Sequence, residues 1–176
     1  VMAAPLTVAG QSEPLQISNL SPLASIRALP RQRDAQPASG LSWALSGTVS
    51  NHFTVQSVSD ESLLLDGQTD TLTLSLRYGL APGWDIEATL PWRHHSGGFT
   101  DRLISDWHRV FGLPDGDRSD YPIDALNYEL TQGGHQAALN QSVSGLGDIE
   151  IGVSRAIADI DGWQLATSVG IKGATG

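Results

Sequence analysis

The chain has 176 residues, 40 % of them hydrophobic, and a formal net charge of −9. That charge sets nucleic-acid binding aside, because such domains are usually basic, and the absence of cysteine removes disulfides, thiolate catalysis, zinc–thiolate sites and a lipidated cysteine anchor. No apolar run approaches the roughly 20 residues that a membrane helix needs, which says nothing against a β-barrel and its weaker hydropathy signal.

The N-terminal VMAAPLTVAG is small and apolar. Val1-Met2-Ala3 has the small-x-small look of a cleavage site, so this stretch reads either as an export-signal remnant or as a plain apolar tail. Residues 5–39 are rich in Pro, Ser, Ala and Gln, with Pro5, Pro14, Pro22, Pro30 and Pro37. Prolines so spaced resist regular structure, and 1–39 is expected to be an extended leader with PLQISNLSPL as a docked segment.

From Gly40 strict alternation begins. Leu41, Trp43, Leu45, Val49, Phe53 and Val55 share one parity, and Ser42, Ala44, Ser46, Thr48, Ser50, His52, Thr54 and Gln56 the other. That predicts a strand of roughly fifteen residues, longer than globular strands and suited to a tilted membrane strand. SVSDESLLLDGQ, 57–68, is expected to connect it to the next strand, with a turn at Asp66-Gly67. TLTLSLRYGLAPGWDIEATLPW then forms a hairpin. Leu72, Leu74, Leu76, Tyr78 and Leu80 lie on one face, joined by Trp84, Ile86, Ala88, Leu90 and Trp92 after a type II turn at Pro82-Gly83.

A polar excursion follows at about 94–144. Within it Phe99, Leu103, Trp107 and Val110 or Phe111 recur at helical spacing until Gly112 and Pro114 stop the pattern. A short amphipathic helix is expected, packing as a lid on the nearest apolar surface. Alternation resumes in LGDIEIGVSRAI, and a turn at 159–162 leads into WQLATSVGIKGATG, with Ile149, Ile151, Val153, Trp163, Leu165, Val169 and Ile171 on the apolar face.

Strands near 41–56, 70–80, 84–93, 146–157 and 163–174 would have connections that alternate long and short, as in outer-membrane barrels. That topology sets Trp43, Tyr78, Trp84 and Trp163 at one level as a membrane-interface girdle. The opposite face carries Arg77, Asp85, Glu87, Arg93, Asp148, Glu150 and Lys172, which become candidates for lining a polar lumen. Arg155 has outward parity and is expected to snorkel. Five strands cannot close a barrel, for which about eight are needed, so 40–176 is expected to be the N-terminal part of a longer one.

The segment HHSGGFTDRLISDWHRVFGLPDGDRSDYP carries Ser96-Gly97-Gly98, Asp101, Trp107-His108, Phe111-Gly112-Leu113-Pro114 and Arg118. With RYGLAPGWDIEATLPW and GLGDIEIGVSRAI it resembles the bacterial family called domain of unknown function 3187, over most of 14–176. Thr100 stands where a larger apolar residue is the pattern. The resemblance implies a transmembrane β-barrel of the outer membrane, exported by a signal peptide. It implies no mechanism and no catalytic residue.

His94-His95, with Ser96 and Asp101, suggests a Ser-His-Asp set, but adjacency in sequence is not triad geometry and no nucleophile elbow is present. Asp115, Asp117, Asp120 and Asp124 lack the glycine and closing Glu of an EF-hand, so a solvated acidic loop is preferred over loose divalent-ion binding. Gly97-Gly98 and Gly133-Gly134 read as loop hinges.

The expectation is therefore an all-β, antiparallel barrel of the bacterial outer membrane with one long loop carrying a short helix. Its expected role is a passive, porin-like channel or transporter-like barrel for small solutes, not an enzyme, without cofactor or metal. Its partners would be outer-membrane lipid, lipopolysaccharide and the barrel-assembly machinery, with no nucleic acid. An outer-membrane barrel hydrolase and a soluble periplasmic β-sandwich that binds a ligand are the alternatives.

Overall fold

A computed structural model describes residues 2–6, 21–24 and 38–176. Most of the expected leader, including nearly all of PLQISNLSPL, lies outside the described residues. Met2–Leu6 is a strand, β1.

The long strands are β2 (Leu41–Val58), β3 (Glu61–Ala81), β4 (Trp84–Ser96), β8 (Ile149–Ile160) and β9 (Trp163–Gly173). Between β4 and β8 come helix α1 (Asp101–Phe111), a 3₁₀ turn at Arg118–Asp120, and the short strands β5 (Asn127–Gln132), β6 (His135–Leu139) and β7 (Val143–Leu146). The sheet order is β1-β2-β3-β4-β8-β9, with β5 paired to β3 and β6, and β7 to β4. Among the described residues the chain is mostly antiparallel strand, with α1 and the 3₁₀ turn inserted, as the alternation predicts. β1 and β9 stand at the two ends of this order, so the sheet is not closed among the described residues.

Two expectations about connections are corrected. The expected connector 57–68 is strand: β2 and β3 meet at a tight turn in which Ser59 has φ 54°. Gly67 makes no turn. It is buried inside β3, where a Cβ would come within 2.8 Å of Leu126 and 3.1 Å of the Ser96 carbonyl. The Asp-Gly pair marks close packing, which a turn-residue rule cannot separate from a hairpin. Secondly, 94–144 contains β5, β6 and half of β7 in addition to its helix. Gly133 and Gly134, with φ of 56° and 80°, are the two-residue turn between β5 and β6, not hinges.

The other turns form as expected. Gly83 has φ 77° after Pro82, and Asp161 and Gly162 both have positive φ between β8 and β9. Gly112 ends α1 in the left-handed conformation, and the Leu113 N–H closes back on the His108 carbonyl.

Two compact units divide the described chain. One, the loop unit, contains Thr48–Asp70 and Arg93–Ser144; the other, the belt unit, contains Thr71–Trp92, Gly145–Gly176 and the described residues 38–47.

Candidate functional site

In the belt unit the pairing fixes which side chains share a face. Ile86 is opposite Val153, itself opposite Val169; Ala88, Ile151 and Ile171 form the next apolar row. Alternating with these rows are Thr89, Glu150 and Lys172, then Glu87, Gly152 and Gly170, then Asp85, Ser154 and Ser168. The two faces are therefore as the alternation assigns them. Their burial is the reverse of a water-soluble sheet. Asp85 is 1 % exposed and Thr89 2 %, whereas Trp163 is 82 % exposed and Val169 74 %.

The candidate lumen residues mostly carry opposed charges in contact. Arg77 donates to Asp85 at 2.6 Å, and the Ala38 N–H donates to the same carboxylate oxygen at 3.3 Å. Lys172 lies 3.0 Å from Asp148 and directly opposite Glu150 across the β8–β9 pair. Glu87 is opposite Gly152 across the β4–β8 pair. Of the seven, Arg93 belongs to the other unit, near His95.

The four candidate girdle residues Trp43, Tyr78, Trp84 and Trp163 are all exposed. Arg155 stacks on Trp84, its guanidinium carbon 5.0 Å from the ring centroid and its strand position directly opposite. That contact gives the arginine of anomalous parity its place.

The loop unit is built on buried polar side chains instead. Among the described residues the buried hydrophobics are Leu65 and Tyr128, both in this unit. Gln68 is fully buried and ties β3 to the start of α1: its carbonyl accepts from the Phe99 N–H at 3.3 Å and the Thr100 hydroxyl at 2.9 Å. Its amide donates to Asp70 at 2.7 Å. Gly98 must be glycine on two counts, a φ of 75° and the Gln68 side chain within 2.5 Å of any Cβ; a Cβ at Gly97 would come closer still to the Asp124 backbone. These glycines are contacts, not hinges.

The Asp101 carboxylate is buried and saturated. It accepts from the Asn51 amide at 2.6 Å, from Arg118 at 2.8 Å and from the Asp124 N–H at 2.9 Å. Arg118 also donates to the Asn51 carbonyl at 2.8 Å and lies over Phe53, which meets Tyr121 edge to face. The motif residues Gly97, Gly98, Asp101 and Arg118 thus serve one purpose, holding the loop against β2 and β3.

On the other parity of β2, Thr69 Oγ1 lies 3.1 Å from His52 Nε2, 2.9 Å from His95 Nδ1 and 3.5 Å from the Tyr128 hydroxyl. Burial, with His95 close by, pushes His52 down to about 4. Burial, then Arg93 and His94, also holds His95 below its ordinary value. The neutral imidazoles suit a shared threonine hydroxyl, which can donate to one and accept from the other. Burial, then the neighbouring Asp101, pushes Asp66 up to about 6 against the pull of Arg118. Its Oδ2 has no hydrogen-bond partner among the described residues.

The Ser-His-Asp set suggested by sequence is not assembled: His95 turns to Thr69 and Asp101 to Asn51 and Arg118. Asp115 accepts from the Asp117 N–H and Asp124 donates its own N–H to Asp101, so these two members of the acidic loop serve its fold. Sequence reasoning missed Asn51, Gln68, Thr69 and Tyr128. A signal existed for Gln68. On β3 the parity of Leu72, Leu74 and Leu76 continues as Asp70, Gln68 and Asp66, which is where the apolar face stops.

Residues 1–175 match the family model described as Protein of unknown function (DUF3187), and the chain belongs to that family. No curated protein and no solved structure matches it.

Proposed function

We propose that this member of the family forms part of a β-barrel of the bacterial outer membrane, acting as a passive channel or transporter-like barrel for small solutes. The observation that carries this is the inverted burial of the belt unit, with Asp85, Thr89 and Ser154 hidden while Trp43, Tyr78, Trp84, Trp163 and Val169 are exposed. Such a face is stable only against something apolar, and lipid contacts every strand of a barrel at once.

Strand lengths agree. A tilted membrane strand needs about 9–11 residues; β8 has 12 and β9 has 11, while β2 has 18 and β3 has 21. The excess on β2 and β3 extends beyond the hydrocarbon layer. The spanning stretches are then 41–50, 71–80, 84–92, 149–157 and 163–173, and the network around His52, Thr69 and His95 lies outside them. The lumen wall would be the face carrying the Arg77–Asp85 and Lys172–Asp148 pairs with Glu87 and Glu150. Lipid and lipopolysaccharide would cover the apolar face, and the barrel-assembly machinery would insert it.

The test is conductance of the full-length protein in planar bilayers. Discrete openings are expected, and Glu87→Lys should shift ion selectivity towards anions while leaving assembly intact. A protein that stays in solution without detergent and raises no conductance overturns the proposal in favour of a soluble sheet.

A further inference from the structure

We propose that α1 is an interfacial helix, its apolar flank lying among the acyl chains at the membrane surface and its charged flank in water; this rests on the barrel reading above.

The expected lid packing does not occur. An ordinary surface helix buries its apolar stripe, yet here the buried residue is Asp101. Phe99 and Leu103 are each 70 % exposed, Val110 is 73 %, and Trp107 and Phe111 are also exposed. Trp107 and Phe111 rest on one another, ring centroids 4.3 Å apart.

The rotation of the helix is fixed by its anchor. At about 100° per residue, Asp101, Ile104, Ser105 and His108 point the same way, and these are its less exposed positions. On that side Asp101 is held by Asn51, Arg118 and the Asp124 N–H. Leu103, Trp107, Val110 and Phe111 then lie about a third of a turn to one side. Arg102, Asp106 and Arg109 lie about a third of a turn to the other. Two of these charges are paired on that flank, Arg109 with Asp106 at 2.5 Å. The helix is thus divided into three sectors: protein, apolar and charged.

A helix in water gains nothing from its apolar sector. A helix lying in the plane of a lipid surface needs all three, with tryptophan at the boundary. The place of attachment agrees. Asn51 has the parity of Val49, Phe53 and Val55 on β2, the one that the alternation assigns to lipid. Gln68 has the parity of Leu72 and Leu74 on β3, just past the point where that parity turns polar.

The experiment uses spin labels on the full-length protein in vesicles of phosphatidylethanolamine and phosphatidylglycerol. The chain has no cysteine, so each introduced thiol is unique. Labels at Leu103→Cys and Val110→Cys should collide more with oxygen than with a water-soluble nickel complex, and a label at Asp106→Cys the reverse. Leu72→Cys and Val169→Cys report on the belt. Belt labels that favour oxygen with helix labels that favour nickel would overturn the helix proposal and leave the barrel standing. Labels at 103 and 110 shielded from both reagents would overturn it in favour of a protein covering. Belt labels that favour nickel would bring down the barrel reading, and this proposal with it.

Discussion

The two units share long alternating strands but bury opposite kinds of side chain. The loop unit hides Gln68, Thr69, His52 and Asp101, each with named partners at hydrogen-bonding distance. The belt unit hides Asp85 and Thr89 and leaves Leu72, Leu80, Leu165, Val169 and its tryptophans exposed. A buried polar network holds only while every member is satisfied, because the loss of one partner strands the rest. An exposed apolar face depends instead on the medium it meets, and single contacts matter less than the burial of the whole surface. The loop unit should therefore fail at particular pairs, and the belt unit at any charge on its apolar face.

The largest effect is expected at Arg118. Replacing it by alanine strips the buried Asp101 of its cationic partner and Asn51 of a donor. Leaving a buried charge uncompensated costs about 3–5 kcal/mol. The loss should be confined to the loop unit: amides of 97–124 lose hydrogen-exchange protection while those of β8 and β9 keep theirs. Equal loss in both units would show that the units do not differ as described.

In the belt unit the sensitive change is Leu74→Arg, on the apolar parity of β3. An arginine on the lipid face near the bilayer midplane costs about 2–4 kcal/mol. Scored as folded protein in membranes, it should be tolerated far less well than Glu87→Lys on the polar face. Equal tolerance of the two would overturn the assignment of faces.

The contrast explains what was legible in the sequence. Alternation carries the belt unit, because a period of two assigns a face without knowing any partner. Ile86, Val153 and Val169 fell into one row for that reason. The helix ends were legible too, through Gly112. The loop unit was not, since parity places Gln68 and Asn51 on a face without naming their partners, which are 31 and 49 residues away. Gly67 misled because a glycine that admits a neighbouring side chain looks like one that makes a turn. The packing of α1 was misjudged because an apolar stripe does not say whether the chain's own surface covers it, and here Leu103, Trp107, Val110 and Phe111 are exposed.

Titration should also distinguish the network. His52 is lowered to about 4, so the stability it lends is complete above its unfolded value of 6.5 and is lost as pH falls from there through 4. Asp66, raised to about 6, works the other way: its contribution is complete below 3.8 and lost as pH rises through 6. The two slopes oppose, but His95, also held below its ordinary value, adds to the loss on the acid side, so the wild-type loop unit should lose protection between pH 7.5 and 5, and by less than a variant without the Asp66 carboxylate does. Asp66→Asn removes one slope. That variant should gain hydrogen-exchange protection over wild type in 127–139 at pH 7.5, and most of the gain should be gone by pH 4. No gain at pH 7.5 would mean that the Asp66 carboxylate does not bear a buried charge there.

The smallest expected effect bears on how the belt ends. Arg155 sits on the face otherwise given to apolar side chains, stacked on Trp84 with the two residues opposite one another across the β4–β8 pair. An exposed cation–π contact is worth about 0.5–1 kcal/mol, so Arg155→Ala should lower stability by that much. In a membrane the arginine does a second thing, because its charged head reaches the headgroups while its stem covers the tryptophan. Arg155→Leu keeps the apolar cover and loses the charge. If Trp84 marks the interface, Arg155→Leu should shift its emission to the blue and increase its quenching by brominated lipids, as the ring moves into the acyl layer. In a soluble sheet the same substitution would add exposed apolar surface beside an exposed indole, and no brominated lipid would reach it. The two media therefore give opposite readings at one residue pair, independently of any conductance.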